Sequence, residues 1–124
     1  DVTGFGLAGH ALELARGASC SVQIEWARVP QLSGVRALAA QGFVTGASGR
    51  NWVGYGSDVE LPAHFTAEDK ALLTDPQTSG GLLVSCDAAA VGRVLDVFQR
   101  HGFAAAAEIG SVLPHSGGAR LIVR

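Results

Sequence analysis

The chain opens with a stripe of apolar residues at helical spacing. After the first glycines, apolar side chains recur three or four positions apart, at Leu7, Ala11, Leu14, Ala15 and Ala18. This periodicity predicts an amphipathic helix with Thr3 as its cap and Gly17 near its end. In the next segment, "CSVQIEW" at residues 20–26, apolar and polar side chains alternate strictly. Such alternation predicts a strand that is apolar on one face only.

The middle of the chain is predicted to hold a short helix and then a long loop. Residues 32–42, "LSGVRALAAQG", follow Pro30 and indicate a helix with Ser33 as its cap and Gly42 as its terminator. Residues 43–60 contain four glycines and no helical stripe, which predicts a long, ordered loop. Loops of this length inside a compact domain are commonly functional.

A capping motif and a buried strand are predicted in the next segment. Thr66 and Asp69 match the pattern T-x-x-D of a capping box, directly ahead of the helix-forming run "KALLT". The cluster "DPQTSGG" at residues 75–81 is typical of a turn. The apolar run "LLVSC" that follows it, residues 82–86, indicates a short buried strand.

The last segment adds one helix and two strands. Beyond the cap residue Asp87 and before Gly102 lies a helical apolar face of Val91, Val94, Leu95 and Phe98. Strands are predicted around residues 104–113 and 120–124, with the turn "PHSGG" between them. Helices interleaved with strands, one of which is amphipathic, predict an α+β fold in which helices pack on a mixed β-sheet. The 124 residues are expected to form one domain.

Composition narrows the classes of partner. The net charge is −2, and the nine basic residues are scattered rather than gathered on one face, so nucleic acid is not an expected partner. No apolar run approaches the roughly 20 residues of a membrane span. Cys20 and Cys86 have no metal-ligand spacing and lie in apolar runs, so we expect two reduced core thiols in a cytoplasmic protein. The absence of methionine indicates a fragment of a longer chain.

The glycines at the start invite a functional interpretation. Gly4, Gly6 and Gly9 match G-x-G-x-x-G, and Glu25 lies 21 residues after Gly4, as in a dinucleotide-binding fold. That fold needs a strand before the first glycine and fully buried parallel strands. Only "DVT" precedes the motif, and the strand at residues 20–26 alternates, so a dinucleotide-binding module is the weaker hypothesis.

The opening residues also suit a cation site or a simple helix cap. An aspartate ahead of a helix N-terminus is suited to hold Mg²⁺ together with phosphate oxygens, because the free backbone N–H groups there attract anions. Alternatively, Asp1 or Thr3 only caps the helix, and the glycines allow tight packing. The residues of this segment alone leave both hypotheses open.

Three stretches taken together carry a family resemblance. They are "DVTGFGLAGHALELARG" at 1–17, "GRNWVGYG" at 49–56 and "LLTDPQTSGGLLVS" at 72–85. In this order and spacing they resemble the C-terminal half of selenophosphate synthetases (selenide, water dikinases). Aminoimidazole ribonucleotide synthetase, from the same superfamily, shares the outline D-x-T-G-x-G but not the D-P-Q-T-S-G-G form. The resemblance extends over residues 1–124.

The resemblance implies an activity for the whole enzyme and a limit for this chain. Selenophosphate synthetases are homodimers that convert ATP, selenide and water into selenophosphate, AMP and phosphate. Their catalytic Cys or selenocysteine, its neighbouring Lys and most ATP and metal ligands lie in the N-terminal domain. Residues 1–124 resemble only the C-terminal domain, so the chain alone is expected to be inactive. The alternative is the matching domain of another ATP-dependent member, such as a purine-biosynthesis cyclo-ligase.

Site residues follow from the same resemblance. The aspartate of "DVTGFG" is a Mg²⁺ ligand in the family, which makes Asp1 the predicted metal ligand, and the metal bridges the phosphates of ATP. Thr3, Gly4 and Gly6 are expected beside those phosphates because they adjoin Asp1. No catalytic residue is predicted in this chain, since Cys20 and Cys86 match neither position of the nucleophile.

Four residues near these motifs receive structural predictions. Asn51 is expected to fix its loop through hydrogen bonds, and Asp75 to start a turn with Pro76 in its second position. His10 is predicted to be a packed or surface histidine, and Trp26 to belong to the core.

Overall fold

A four-stranded mixed sheet forms the centre of the computed structural model, which describes residues 1–124. The strands run in the order β2-β4-β1-β3. Their bounds are Cys20–Ile24 for β1, Val59–Glu60 for β2, Gly110–Pro114 for β3 and Leu121–Val123 for β4. β1 pairs antiparallel with β3 and parallel with β4, and β4 also pairs parallel with β2. The predicted α+β fold with a mixed sheet is therefore confirmed.

Five helices accompany the sheet. They are α1 at Gly6–Gly17, α2 at Val35–Ala40, α3 at Gly46–Tyr55, α4 at Ala67–Leu73 and α5 at Val91–Arg100. Short 3₁₀ turns lie at Trp26–Arg28, Gly56–Asp58 and Ala88–Ala90. None of these helices is both long and apolar enough to cross a lipid bilayer.

One face of α1 and the centre of the sheet make the core. Of the predicted apolar stripe, Leu7, Ala11 and Ala15 are buried, whereas Leu14 and Ala18 are exposed. The buried face of α1 packs on β1 and β4. The core comprises Val2, Leu7, Ala8, Ala11, Leu12, Ala15, Val22, Ile24, Tyr55, Leu73, Leu121 and Val123. Because Val2 belongs to this cluster, the start of the chain is anchored to the domain.

The predicted loop at residues 43–60 is wrong, because most of it is helix α3 followed by a 3₁₀ turn and β2. Thr45 caps the helix by accepting a hydrogen bond from the Ser48 N–H at 3.2 Å. The inward face is formed by Ser48, Asn51 and Tyr55, spaced three and four residues apart. Two of these side chains are polar and the third is a tyrosine, so a search for an apolar stripe does not detect the helix.

The predicted helix caps have mixed outcomes. The capping box of α4 is confirmed, since Thr66 accepts from the Asp69 N–H and the Asp69 carboxylate accepts from the Thr66 N–H. Thr3 does not cap α1, whose N-cap is Phe5 and lacks a side-chain hydrogen bond. Ser33 does not cap α2 either, because Gly34 occupies that position with a φ of +80°.

The predicted strand at residues 82–86 is also wrong. This segment has no regular structure, and the side chains of Leu82 and Val84 are exposed. A strand needs a backbone partner, and none of the four strands pairs with these residues. The segment instead lines an apolar groove of about 610 Å³ between α5 and the sheet. Cys86 is consequently exposed rather than a core thiol, whereas Cys20 is half-buried; both are free.

A buried aspartate ties the 3₁₀ turn after β1 to helices α2 and α4. Asp69 accepts hydrogen bonds from the Trp26 indole N–H at 2.8 Å and from the Arg36 guanidinium at 2.5 Å. Burial favours the neutral acid, but these bonds and those from Thr66 outweigh it and lower the pKa of Asp69 to about 2. Trp26 is thereby held against the edge of the core, where it also meets Phe65.

Replacing this carboxylate tests its contribution to stability. Asp69→Asn is expected to lower the free energy of unfolding at pH 7 by about 2 kcal/mol, because the folded protein stabilises the ionised carboxylate. A depressed pKa stabilises the fold above the unfolded value of about 4, and this stabilisation is lost as pH falls towards 2. The difference between wild type and variant should therefore shrink across that window in urea unfolding.

The exposed Asp96 on α5 provides the matched control. Asp96→Asn should change the free energy of unfolding by less than about 0.5 kcal/mol. Equal effects of the two substitutions, or a constant difference between wild type and Asp69→Asn down to pH 2, would contradict the assigned role.

Candidate functional site

The first three residues have no regular secondary structure and carry one buried and two exposed side chains. The Val2 N–H donates to the Gly81 carbonyl at 2.9 Å, and the Val2 side chain is only 5% exposed. Asp1 and Thr3 are exposed. Asp1 and Thr3 thus flank the buried Val2 and share the solvent-facing side of this segment.

The glycine turn that follows is a close contact rather than an open cradle. Gly6 has a φ of +68°, and its N–H donates to the Thr3 carbonyl at 3.1 Å. A Cβ built on Gly6 would lie 2.6 Å from the carbonyl carbon of Thr74, so only glycine fits there. Gly4 has open space around it. The turn thus brings residues 3–6 against the segment that carries "DPQTSGG".

Helix α3 joins these two segments by hydrogen bonds. The Asn51 side-chain amide donates to the Gly4 carbonyl at 2.9 Å and to the Thr74 carbonyl at 3.0 Å. This geometry agrees with the prediction that Asn51 fixes its surroundings. One turn further on, the Tyr55 hydroxyl donates to the Phe5 carbonyl at 2.6 Å. Burial raises the pKa of Tyr55 to about 12, although a backbone hydrogen bond with Gly9 opposes the shift, so the hydroxyl keeps its proton.

The "DPQTSGG" segment contacts residues 1–6 by backbone hydrogen bonds. The Gln77 N–H donates to the Thr3 carbonyl at 3.0 Å. Burial raises the pKa of Asp75, and a hydrogen bond from the Thr45 hydroxyl at 3.5 Å partly offsets the shift. The turn itself lies at residues 78–79, so the predicted turn start at Asp75 is wrong.

Gly80 completes the contact between the first and third stretches. A Cβ at Gly80 would overlap the Val2 carbonyl oxygen, whereas a Cβ at Gly81 would meet open space. Close backbone approach is therefore found at Gly80 alone. The three stretches that carry the family resemblance therefore meet at one place, around the N-terminus of α1.

The Asp1 carboxylate is available for a ligand. Asp1 is exposed and takes part in none of the ion pairs, and α1 has no side-chain cap, so the interpretation of Asp1 or Thr3 as a helix cap is wrong. No group of three or more His, Cys, Asp or Glu side chains is arranged to hold a metal ion. A single carboxylate fits Mg²⁺ when phosphate oxygens and water supply the other ligands.

A hydrogen-bonded chain on the first turns of α1 was missed by sequence reasoning. The Thr3 hydroxyl lies 3.1 Å from His10 Nε2, and His10 Nδ1 lies 2.7 Å from a Glu13 carboxylate oxygen. The imidazole also packs against Phe5, with ring centroids 5.8 Å apart. His10 was predicted as an ordinary packed or surface histidine. The spacing of Glu13 three positions after His10 was the available signal.

Comparisons with known proteins identify the family of this chain. The family model "AIR synthase related protein, C-terminal domain" matches residues 1–122, so the chain belongs to this family. Its sequence is similar to proteins named selenide, water dikinase. The identity is 64% over 110 residues in Pseudomonas straminea, 55% over 123 residues in Burkholderia pseudomallei and 47% over 111 residues in Rhizobium meliloti.

These matches cover most of the chain but only part of each relative. They include 89%, 99% and 90% of the chain, and 31%, 34% and 32% of the respective relatives. The chain thus spans about a third of the length of the curated relatives that it matches. The resemblance predicted from the three stretches is confirmed.

Gly80 and Gly81 form a matched pair for testing the contact. Gly80→Ala should lower the free energy of unfolding by about 1–3 kcal/mol, because the added methyl group must push the Val2 carbonyl away. Gly81→Ala should change it by less than about 1 kcal/mol, since its Cβ meets no atom. Urea unfolding measures both. If the two alanine variants were equally stable, the close approach of Val2 and Gly80 would be refuted.

Proposed function

We propose that this chain is the C-terminal domain of a selenide, water dikinase. The full-length enzyme makes selenophosphate, AMP and phosphate from selenide, ATP and water. The observation that carries the proposal is the convergence of residues 1–6, 49–56 and 72–81 around the N-terminus of α1, directly after the exposed Asp1. Relatives that bear this name match along 89–99% of the chain, which supports the same activity.

Asp1 is the proposed Mg²⁺ ligand of this domain. Polyphosphate cleavage depends mainly on positioning and on neutralising charge, which a cation between the phosphates supplies. Thr3, Gly4 and Gly6 adjoin Asp1 at the N-terminus of α1, where the helix dipole favours phosphate oxygens, although the Gly6 N–H already donates to the Thr3 carbonyl. Gly4 has free space, so a phosphate is able to approach its backbone closely.

The remaining machinery belongs to an N-terminal domain in this proposal. Neither Cys20, in the central strand, nor Cys86, on the exposed segment before α5, lies in the three converging stretches, so neither is proposed as the nucleophile. The enzyme is proposed to work as a homodimer, as the family resemblance implies, and in the cytoplasm, in line with the two free thiols of this chain.

Activity of the full-length protein tests the proposal. Incubation with ATP, Mg²⁺ and selenide should yield AMP and selenophosphate, observed by phosphorus NMR, whereas residues 1–124 alone should yield neither. Asp1→Asn in the full-length protein should lower kcat by about 100-fold or more, because a cation ligand at the phosphates is lost. Asp87→Asn, which alters the cap of the 3₁₀ turn before α5, is the control and should retain activity.

Two different outcomes would identify the competing functions. ATP hydrolysis to ADP with a purine-pathway amide substrate, and no AMP from selenide, would assign the chain to a cyclo-ligase instead. Retention of a nicotinamide dinucleotide through purification would favour a dinucleotide-binding module.

A further inference from the structure

The hydrogen bonds on α1 determine which nitrogen of His10 carries the proton. The Glu13 carboxylate only accepts hydrogen bonds, so His10 Nδ1, 2.7 Å away, must carry a proton. In the neutral imidazole, Nε2 then has a lone pair and no proton. The His10 side chain is 16% exposed, and its contact with Phe5 holds the ring in place.

This tautomer sets the orientation of the Thr3 hydroxyl. A hydroxyl has one proton and two lone pairs. With Nε2 as the acceptor at 3.1 Å, the proton of the Thr3 hydroxyl is directed at His10. The Thr3 oxygen therefore presents lone pairs to its other neighbours and has no proton left to donate.

The acceptor-only oxygen lies on the same side of the chain as Asp1. Val2 is buried between two exposed residues, so the side chains of Asp1 and Thr3 both lie on the solvent-facing side of the segment. A threonine hydroxyl oxygen beside a carboxylate is a donor pair that suits Mg²⁺ in a nucleotide site.

We propose that His10 is a positioning residue that, held by Glu13, turns the Thr3 hydroxyl so that its oxygen ligates the divalent cation next to Asp1. This proposal rests on the proposed function, because it assumes that ATP and its cation occupy the site. Groups that orient a metal ligand typically change metal affinity by 10- to 100-fold when they are replaced.

Two substitutions of His10 separate positioning from packing. Gln reaches the place of Nε2 with its amide group and is able to accept the Thr3 proton, whereas Asn reaches only the place of Nδ1. In the full-length protein we expect His10→Asn to weaken Mn²⁺ binding about 10-fold, measured by electron paramagnetic resonance with a non-hydrolysable ATP analogue present. His10→Gln should remain within about threefold of wild type.

A double-mutant cycle tests whether His10 acts through Thr3. Thr3→Val should weaken Mn²⁺ binding at least as much as His10→Asn, and Thr3→Ser should restore it. The double variant should bind no more weakly than Thr3→Val alone, because both changes remove the same oriented oxygen. His64→Asn, at an exposed histidine before α4, is the control.

The outcomes distinguish this proposal from the proposed function. Wild-type affinity in His10→Asn, or full additivity with Thr3→Val, would overturn the role of His10 and leave the dikinase proposal intact. Failure of the wild-type protein to form AMP from ATP and selenide would overturn the proposed function. The Mn²⁺ titration would still test whether His10 acts on cation binding through Thr3.

Discussion

The candidate site depends on one side-chain amide. Asn51 donates one hydrogen bond to the Gly4 carbonyl and one to the Thr74 carbonyl, and so joins two segments that are 70 residues apart in sequence. Neither carbonyl belongs to a sheet ladder, and carbonyls that lose water must find another donor. One helical turn later, the Tyr55 hydroxyl donates to the Phe5 carbonyl in the same way. Helix α3 is therefore held to both segments by hydrogen bonds to their backbone, whereas α1 is held to the sheet by apolar packing.

In the structure, the glycine motif serves backbone packing, whereas its G-x-G-x-x-G pattern is typical of a dinucleotide-binding turn. Gly6 and Gly80 are glycines because backbone approaches them closely, at Thr74 and Val2 respectively. Neither contact requires a ligand. Packing of the turn on one side leaves the other side free, and that side carries Asp1 and Thr3. The motif thus positions the residues before it, which present the exposed Asp1 carboxylate and the Thr3 hydroxyl on the free side of the turn.

The parts of the fold that depend on apolar periodicity and local capping were predictable from sequence. Helix α1, strand β1 and the capping box of Thr66 appear where the pattern places them. The predicted burial holds only in part, because Leu14 of the α1 stripe is exposed and Ser21, on the predicted polar face of β1, is buried. Helix α3 was not predictable in this way, because its inward side chains bond to backbone. Residues 82–86 look like a strand locally, but pairing is a property of the whole sheet. For His10 the sequence revealed the helix but not the contact with Thr3 on the preceding segment.

The role of Asn51 is tested most directly by measuring hydrogen exchange at the two backbone amides that donate to the Thr3 carbonyl. Gly6 and Gln77 both bond to its carbonyl, one from each joined segment. Asn51→Ala leaves two carbonyls without their donor, at a cost of about 1–3 kcal/mol. Hydrogen exchange followed by NMR should then show both amides exchanging about tenfold faster or more, while Val53→Ala, on the exposed face of α3, leaves them unchanged. Unaltered protection of Gly6 and Gln77 in Asn51→Ala would contradict the claim that α3 holds the site together.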